Sequence, residues 1–306
     1  MWDVVVVGGI NTDYLIRGER LPVPGQSLEG EAFFAGPGGK GANQAVAVAR
    51  LGARVTMIGR VGPDDRGDFM IAALKREGVD TTYIERDAHV PTGAAVIMVD
   101  RSGEKTIMAY PGVNFEVRPA HIHKAASAIR GARVLLTQLE LPTAAIAEAL
   151  RIGRESAVHT VLDPAPARHL EPSFLKLVDV IRPNSSEAEA LSGISVSDCE
   201  SARRAAAFLM REGVGAACVQ AGDEGDLLVW QGGELLLPRI SVERVDATGA
   251  GDAFAAGLAV GLAKGQTLED AGRIGNVAAA LATTKLGAQS GLPKWDEVQA
   301  LLKERQ

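Results

Sequence analysis

Cysteine is scarce in this sequence: Cys199 and Cys218 lie far apart and lack the nearby Cys or His partners that a zinc site needs. A disulfide framework and a zinc ribbon are thereby excluded, and buried free thiols are expected. Aromatic residues are few, at 4% of the chain, which weighs against a function that depends on stacking bases. Positive charge is not in surplus either. Lys and Arg number 32 against 38 Asp and Glu, a formal net charge of −6, so no basic stripe is offered to a phosphate backbone and nucleic acid is not an expected partner. The longest apolar run, Ala253 to Ala263, is broken by Gly257 and Gly261 and falls well short of the roughly 20 residues that cross a bilayer. No membrane partner is expected. Met1-Trp2-Asp3 and the short valine run after it carry no basic segment, long apolar stretch or small-residue cleavage site, so a cytoplasmic location is expected.

What the chain does have is length, alternation and glycine. With 306 residues, 46% apolar and 23% charged, it can bury a sizeable core, and a single domain over residues 1–306 is expected. Val4 to Val7 is a β-branched run ending at Gly8-Gly9, the pattern of a strand buried on both faces of a parallel sheet. A helix from Ala42 to Leu51 with Gly52 at its end, and a strand from Val55 to Ile58, follow. The alternation continues with helices near Phe69–Glu77, Ala120–Arg130, Thr143–Glu155 and Ser201–Arg211. Strands are expected at Val134–Thr137 and Val158–Leu162, with short apolar segments at Val178–Ile181, Cys218–Gln220 and Leu227–Trp230. That rhythm predicts an α/β fold: a Rossmann-like, mostly parallel sheet with helices on both faces. Two stretches break it. Leu21 to Gly36 is rich in Pro and Gly, and Ala94 to Tyr110 reads as strand, Arg101-Ser102-Gly103 turn, strand. Together they predict a small antiparallel β-sheet lid from segments near 12–36 and 92–112.

The strongest local signal is Asp246-Ala247-Thr248-Gly249-Ala250-Gly251-Asp252, followed by a helix with Phe254, Leu258 and Leu262 on one face. A turn this poor in side chains lets backbone N–H groups approach an anion, and the helix start adds unpaired donors and the positive dipole end. Gly249, Ala250 and Gly251 are therefore candidates for an anion hole, and Asp252 for a general base beside it. The plain alternative is a helix cap in a tight turn. A second cluster, Gly36-Pro37-Gly38-Gly39-Lys40-Gly41-Ala42-Asn43-Gln44, brings a lysine and an amide to another helix start, where Gly39, Lys40 and Asn43 can meet hydroxyls. It is not a Walker A loop: Gly41 follows Lys40, and Phe34 stands where the first glycine is required. Gly8-Gly9 lacks the GxGxxG spacing of a dinucleotide site. None of His89, His121, His123, His159 and His169 has metal-ligand spacing with a supporting carboxylate.

With Asn11-Thr12-Asp13 after the first strand, Gln138-Leu139-Glu140 after another, and Asn184-Ser185-Ser186-Glu187 later, the chain resembles the ribokinase branch of the PfkB carbohydrate kinase family, in order and over essentially its whole length. The resemblance implies ATP-dependent phosphorylation of a primary hydroxyl of a small free sugar, D-ribose foremost, on a Rossmann-like domain with a β-sheet lid. It implies Asp252 as base, with Asn11, Asp13, Gly39, Lys40, Asn43 and Glu140 on the sugar. It also implies Asn184, Gln220, Gly222, Gly225, Gly249, Gly251 and Asn276 on the nucleotide. Glu187 would help place Mg2+, and Asp246, Thr248, Ala282, Lys285, Gly287 and Gly291 would hold an activating K+. Gln220 stands where the family often has threonine, Gly291 where it often has serine, and Pro37 and Tyr14 sit beside sugar-site residues.

Chemistry agrees with the carry-over, since a sugar is a set of hydroxyl donors and acceptors that carboxylates and amides can pair. Asn184 with Glu187 also reads as a capping box, a role compatible with metal placement. Two other functions stay open. A nucleoside kinase needs an aromatic face, for which Tyr14, Phe33, Phe34 and Tyr110 are the candidates; a non-catalytic sugar-binding protein needs neither base nor anion hole. Exposed lid edges would favour a homodimer paired through the lid.

Overall fold

A computed structural model describes residues 1–305. The strands are β1 (Trp2–Val7), β2 (Asn11–Arg17), β3 (Ala32–Gly38), β4 (Val55–Val61), β5 (Ile84–Arg86), β6 (Gly93–Val99), β7 (Lys105–Tyr110), β8 (Ala132–Thr137), β9 (His159–Leu162), β10 (Val180–Ile181), β11 (Ala216–Gln220), β12 (Gly225–Trp230) and β13 (Gly233–Pro238). Nine form one sheet in the order β13-β12-β11-β10-β9-β8-β1-β4-β5, and four form a second in the order β3-β2-β6-β7.

The valine run of β1 explains the layering. Successive side chains of a strand point to opposite faces, and here Val4 and Val6 enter one apolar cluster while Val5 and Val7 enter another. The first cluster is closed by the helices Lys40–Arg50, Ala250–Ala263 and Leu268–Ala282, the second by Thr143–Glu155 and Cys199–Arg211. All four valines are fully buried, which is why a run without alternation is stable as a strand. From β1 the chain builds outward in one direction through β4 and β5, then returns to build the other way from β8. In an open α/β sheet the crevice at such a reversal, beyond the carboxyl ends of the strands, is where ligands bind. The residues after β1, β8 and β9 open onto it.

Three expectations need correction. The lid is mixed rather than purely antiparallel: β2 pairs β3 and β6 pairs β7 antiparallel, but β2 and β6 run parallel. The physical reason is that the chain crosses through the main sheet between them instead of turning in a hairpin. The helix expected over Ala120–Arg130 is two short ones, Pro119–Lys124 and Ala126–Arg130, because Ala125 N–H bonds back three residues to Ile122 at 3.1 Å and tightens the turn. Cys218 is buried, but Cys199 is half-buried at the start of a helix. The apolar segment Leu227–Trp230 is followed by β13, so β11, β12 and β13 run antiparallel at that edge of the main sheet. Among the described residues no helix is long and apolar enough to cross a membrane.

Candidate active site

Both glycine-rich segments end at helix N-termini that face the same cleft. Gly39 (φ 86°) caps the helix Lys40–Arg50, and Gly249 (φ 85°) caps Ala250–Ala263. These are left-handed conformations in which a side chain is strained. Close packing adds to the requirement: a Cβ on Gly39 would stand 2.7 Å from the Asn11 nitrogen and 2.8 Å from the Gly9 oxygen. The cleft between the sheets encloses about 660 Å³ and is lined by Asn11, Asp13, Gly39, Lys40, Asn43, Glu140, Asn184, Glu187, Gln220, Gly222, Gly225, Thr248, Gly249, Ala250, Gly251, Asp252 and Asn276, among others. That size suits a small ligand.

Asp252 lies in the first turn of its helix and is only 4% exposed. Its carboxylate accepts from Asn43 Nδ2 at 3.0 Å and Gln44 Nε2 at 3.1 Å, with Lys40 Nζ at 3.6 Å. Lys40 Nζ also reaches Asp163 at 3.2 Å, and Gln44 Nε2 donates to the same Asp163 oxygen at 2.8 Å. Burial raises the Asp252 pKa; Lys40 opposes the rise, Asp163 adds to it, and the two amides oppose it. Burial alone would lower the Lys40 pKa, but Asp163, Asp252, Glu140 and Glu187 hold it above its ordinary value, so the ammonium stays charged. Glu140 accepts from the Lys40 backbone N–H at 2.8 Å, which ties the end of β8 to the start of the helix. Asp13 points down from the lid against Gly38.

Burial, opposed by Lys40 and aided by the Asp252 charge, raises the Glu140 carboxyl to about 7, and burial with the same Asp252 charge raises Asp13 to about 6. In both cases the folded chain binds a proton more readily than the unfolded one, so stability falls as pH rises between the ordinary carboxylate range and about 7. Asp64, which burial would raise but hydrogen bonds from Thr92 and Arg66 bring down to about 2, titrates well below this window. The melting temperature of the free protein is expected to fall from about pH 5 to about pH 7, and Asp13→Asn with Glu140→Gln to flatten that slope. Calorimetric melts across the range check it; an equal slope in the double variant would count against these two carboxyls.

Behind the Gly249 turn, Asp246 accepts from Thr248 N–H at 2.9 Å, from the Thr248 hydroxyl at 2.7 Å and from Gly287 N–H at 2.9 Å. Its carboxylate thus holds the turn to the loop after the helix Leu268–Ala282. The carbonyl oxygens of Ala282 and Lys285 both face the position where a Gly291 side chain would project. On the far side of the cleft, Asn184 and Glu187 form a reciprocal cap, Asn184 Oδ1 accepting from Glu187 N–H at 2.8 Å and Glu187 Oε2 from Asn184 N–H at 2.9 Å. Burial and the Asp163 charge raise the Glu187 pKa. Asn276 Nδ2 is spent on the Pro238 carbonyl at 3.0 Å.

Pairing register assigns the lid's two faces. Asp13, Leu15, Ala95, Ile97, Ile107 and Ala109 share the cleft side, whereas Tyr14, Ile16, Phe33, Val96, Met108 and Tyr110 share the outer side. Three of the four aromatic residues considered for a nucleobase therefore point away from the cleft.

A model of pfkB family carbohydrate kinases matches residues 1–295. The chain belongs to this family. A ribokinase of Haemophilus influenzae is 37% identical over 299 residues, 98% of each chain, and a deoxyribokinase of Salmonella typhi is 33% identical over 301 residues, 98% of each. The structure of Arabidopsis thaliana ribokinase complexed with ribose and ATP superposes with a TM-score of 0.91, at 31% identity and 98% coverage of both chains. The kinase is thus a carbohydrate phosphotransferase with a ribokinase-like fold.

Several site residues of this kinase escaped the sequence reading. Asp163 carries a signal like that of Glu140, an acid within three residues of the end of an apolar strand, and Gln44 stood unassigned inside the second glycine cluster. Asn114, which ties Ile10 and Asn11 by bonds of 3.0 and 2.8 Å, has no such signal. Neither has Lys105, whose Nζ crosses from the lid to the Thr248 hydroxyl at 3.1 Å.

Proposed function

We propose that the kinase transfers the γ-phosphoryl group of ATP to the primary hydroxyl of a free pentose, D-ribose first among them. One observation carries the proposal: Asp252, buried and cradled by Asn43 and Gln44, stands beside the N–H groups of Gly249 to Gly251 in one cleft. A general base and an anion hole are what acceptor activation and a developing negative charge require. The sugar hydroxyls meet Asn11, Asp13, Asn43 and Glu140, with Lys40 balancing the carboxylates. Asp252 takes the proton of the attacking hydroxyl as its oxygen bonds to the γ-phosphorus. The bond from that phosphorus to the bridging oxygen breaks, and ADP leaves. The nucleotide lies over Asn184, Gln220, Gly222, Gly225 and Asn276, on the other side of the Gly249 turn.

The reading extends to the two cations that the resemblance implies, for which this chain offers oxygen donors. The Ala282 and Lys285 carbonyls converge near Gly291 as oxygens suited to K+, and Asp246, which ties Thr248 to Gly287, is assigned as a further ligand of that loop. Glu187 and Asn184 face the phosphate side of the cleft, where Mg2+ neutralises phosphate charge when bound. Because Asp246 orders Thr248 through Gly251, turnover at constant ionic strength is expected to be several-fold higher in potassium than in a bulky organic cation. Equal rates would remove the cation site and leave the base in place.

A screen of ATP consumption over pentoses, deoxypentoses, hexoses and nucleosides tests the reading. Ribose is expected to lead; efficient turnover of a nucleoside with ribose inert would overturn it, although the outward Tyr14, Phe33 and Tyr110 leave little aromatic surface for a base. Pairing of the apolar outer lid face with a second copy of this chain, through Phe33, Met108 and Tyr110, which are 67%, 77% and 53% exposed, completes the proposal as a homodimer.

A further inference from the structure

Arg182, at the carboxyl end of β10, lines the cleft and has no part in the mechanism above. It is 8% exposed, packs its guanidinium 4.6 Å from the Phe254 ring centroid, and donates from Nη2 to Asp226 at 2.9 Å. Its Nε is buried with no acceptor among the described residues. Its Nη1 lies 3.5 Å from the point where a side chain would leave Gly251, in the opening turn of the Ala250–Ala263 helix. A guanidinium has five N–H donors in a planar fork, and a buried one is costly unless they are paired. A purely structural pair would lay the fork against both oxygens of Asp226. Here the cation is held by one carboxylate and an aromatic face, and Nη1, which donates to no group among the described residues, lies beside a helix start that already favours anions.

We propose that Arg182 is a phosphate-contact residue, donating to the phosphate chain of the nucleotide at the Gly249–Gly251 turn. There it stabilises the charge on the γ-phosphoryl oxygens during transfer. It exchanges no proton: the hydroxyl proton goes to Asp252, and the electron pair of the broken phosphorus–oxygen bond leaves with ADP. The proposal rests on the reading of this cleft as an ATP site.

Removing the arginine alone would strand the Asp226 charge, so the test pairs Arg182→Met with Asp226→Asn and adds Arg182→Lys. AMP, ADP and β,γ-methylene-ATP are titrated calorimetrically against each protein, and turnover is measured with saturating sugar. The double variant is expected to bind AMP as the parent does, to bind the triphosphate analogue about tenfold or more weakly, and to turn over about 10² to 10³ more slowly, with lysine restoring part of both. Equal triphosphate affinity and turnover would overturn the assignment, as would a uniform loss across all three nucleotides. A parent protein that binds none of the three would overturn the ATP reading itself.

Discussion

Asp252→Asn is expected to lower turnover by about 10² to 10⁴ while leaving the fold and sugar binding nearly intact, the usual reach of a positioned general base. That range corresponds to about 3 to 5 kcal/mol of lost transition-state stabilisation. Asparagine fills the same volume and can still accept through its oxygen, so the Asn43 and Gln44 contacts at 3.0 and 3.1 Å need only partial rearrangement. What disappears is the proton acceptor, together with the charge that raises Asp13 and adds to the rise at Glu140. The variant should therefore bind sugar at least as well as the parent near neutral pH, because Glu140 ionises more readily once a neighbouring negative charge is gone. Turnover, sugar affinity by calorimetry and a circular dichroism spectrum check the three parts. Unaltered turnover would remove Asp252 from its role.

Gly249→Ala carries the second large expectation, a loss of turnover on the order of 10², as when one oxyanion donor is displaced. The argument is steric. Gly249 sits at φ 85°, and a Cβ there would stand 2.8 Å from the Ala288 carbonyl oxygen and 3.2 Å from its Cα. Both contacts are with backbone, so the turn itself must move, and the Gly249 to Gly251 N–H groups move with it. Sugar affinity should hold, since Asp13, Asn43 and Glu140 reach the cleft from other elements. A kcat that falls while the sugar KM stays fixed supports the assignment. Equal loss in both would mean that the whole cleft has shifted, and an unchanged kcat that these N–H groups stabilise no developing charge.

Much of this was open to reading from the chain itself because it was local. The valine run of β1, the two glycine clusters and the acids that follow apolar strands each carry their physical reason within a few residues. The glycines that permit positive φ at Gly39 and Gly249 are visible in the chain, whereas the contacts that demand them, with Gly9 and Asn11 and with Ala288, are not. Non-local pairings were less legible. The parallel register of β2 and β6 depends on a crossover through the main sheet, and a three-residue backbone bond at Ala125 splits what reads in sequence as one helix.

The sequence by itself therefore determined the α/β class and the two glycine-rich helix starts, which follow from side-chain periodicity and local turn geometry, and it marked Asp252, Glu140 and Asp13 as candidates. Only the tertiary structure decided which charges share a space. Lys40 and Gln44 meet Asp163 and Asp252 across separations of more than a hundred residues, and Arg182 finds Asp226 and Phe254 beside the cleft. Such pairs are fixed by how strands order themselves in the sheet. That order is set by packing whole elements, and no spacing along the chain records it.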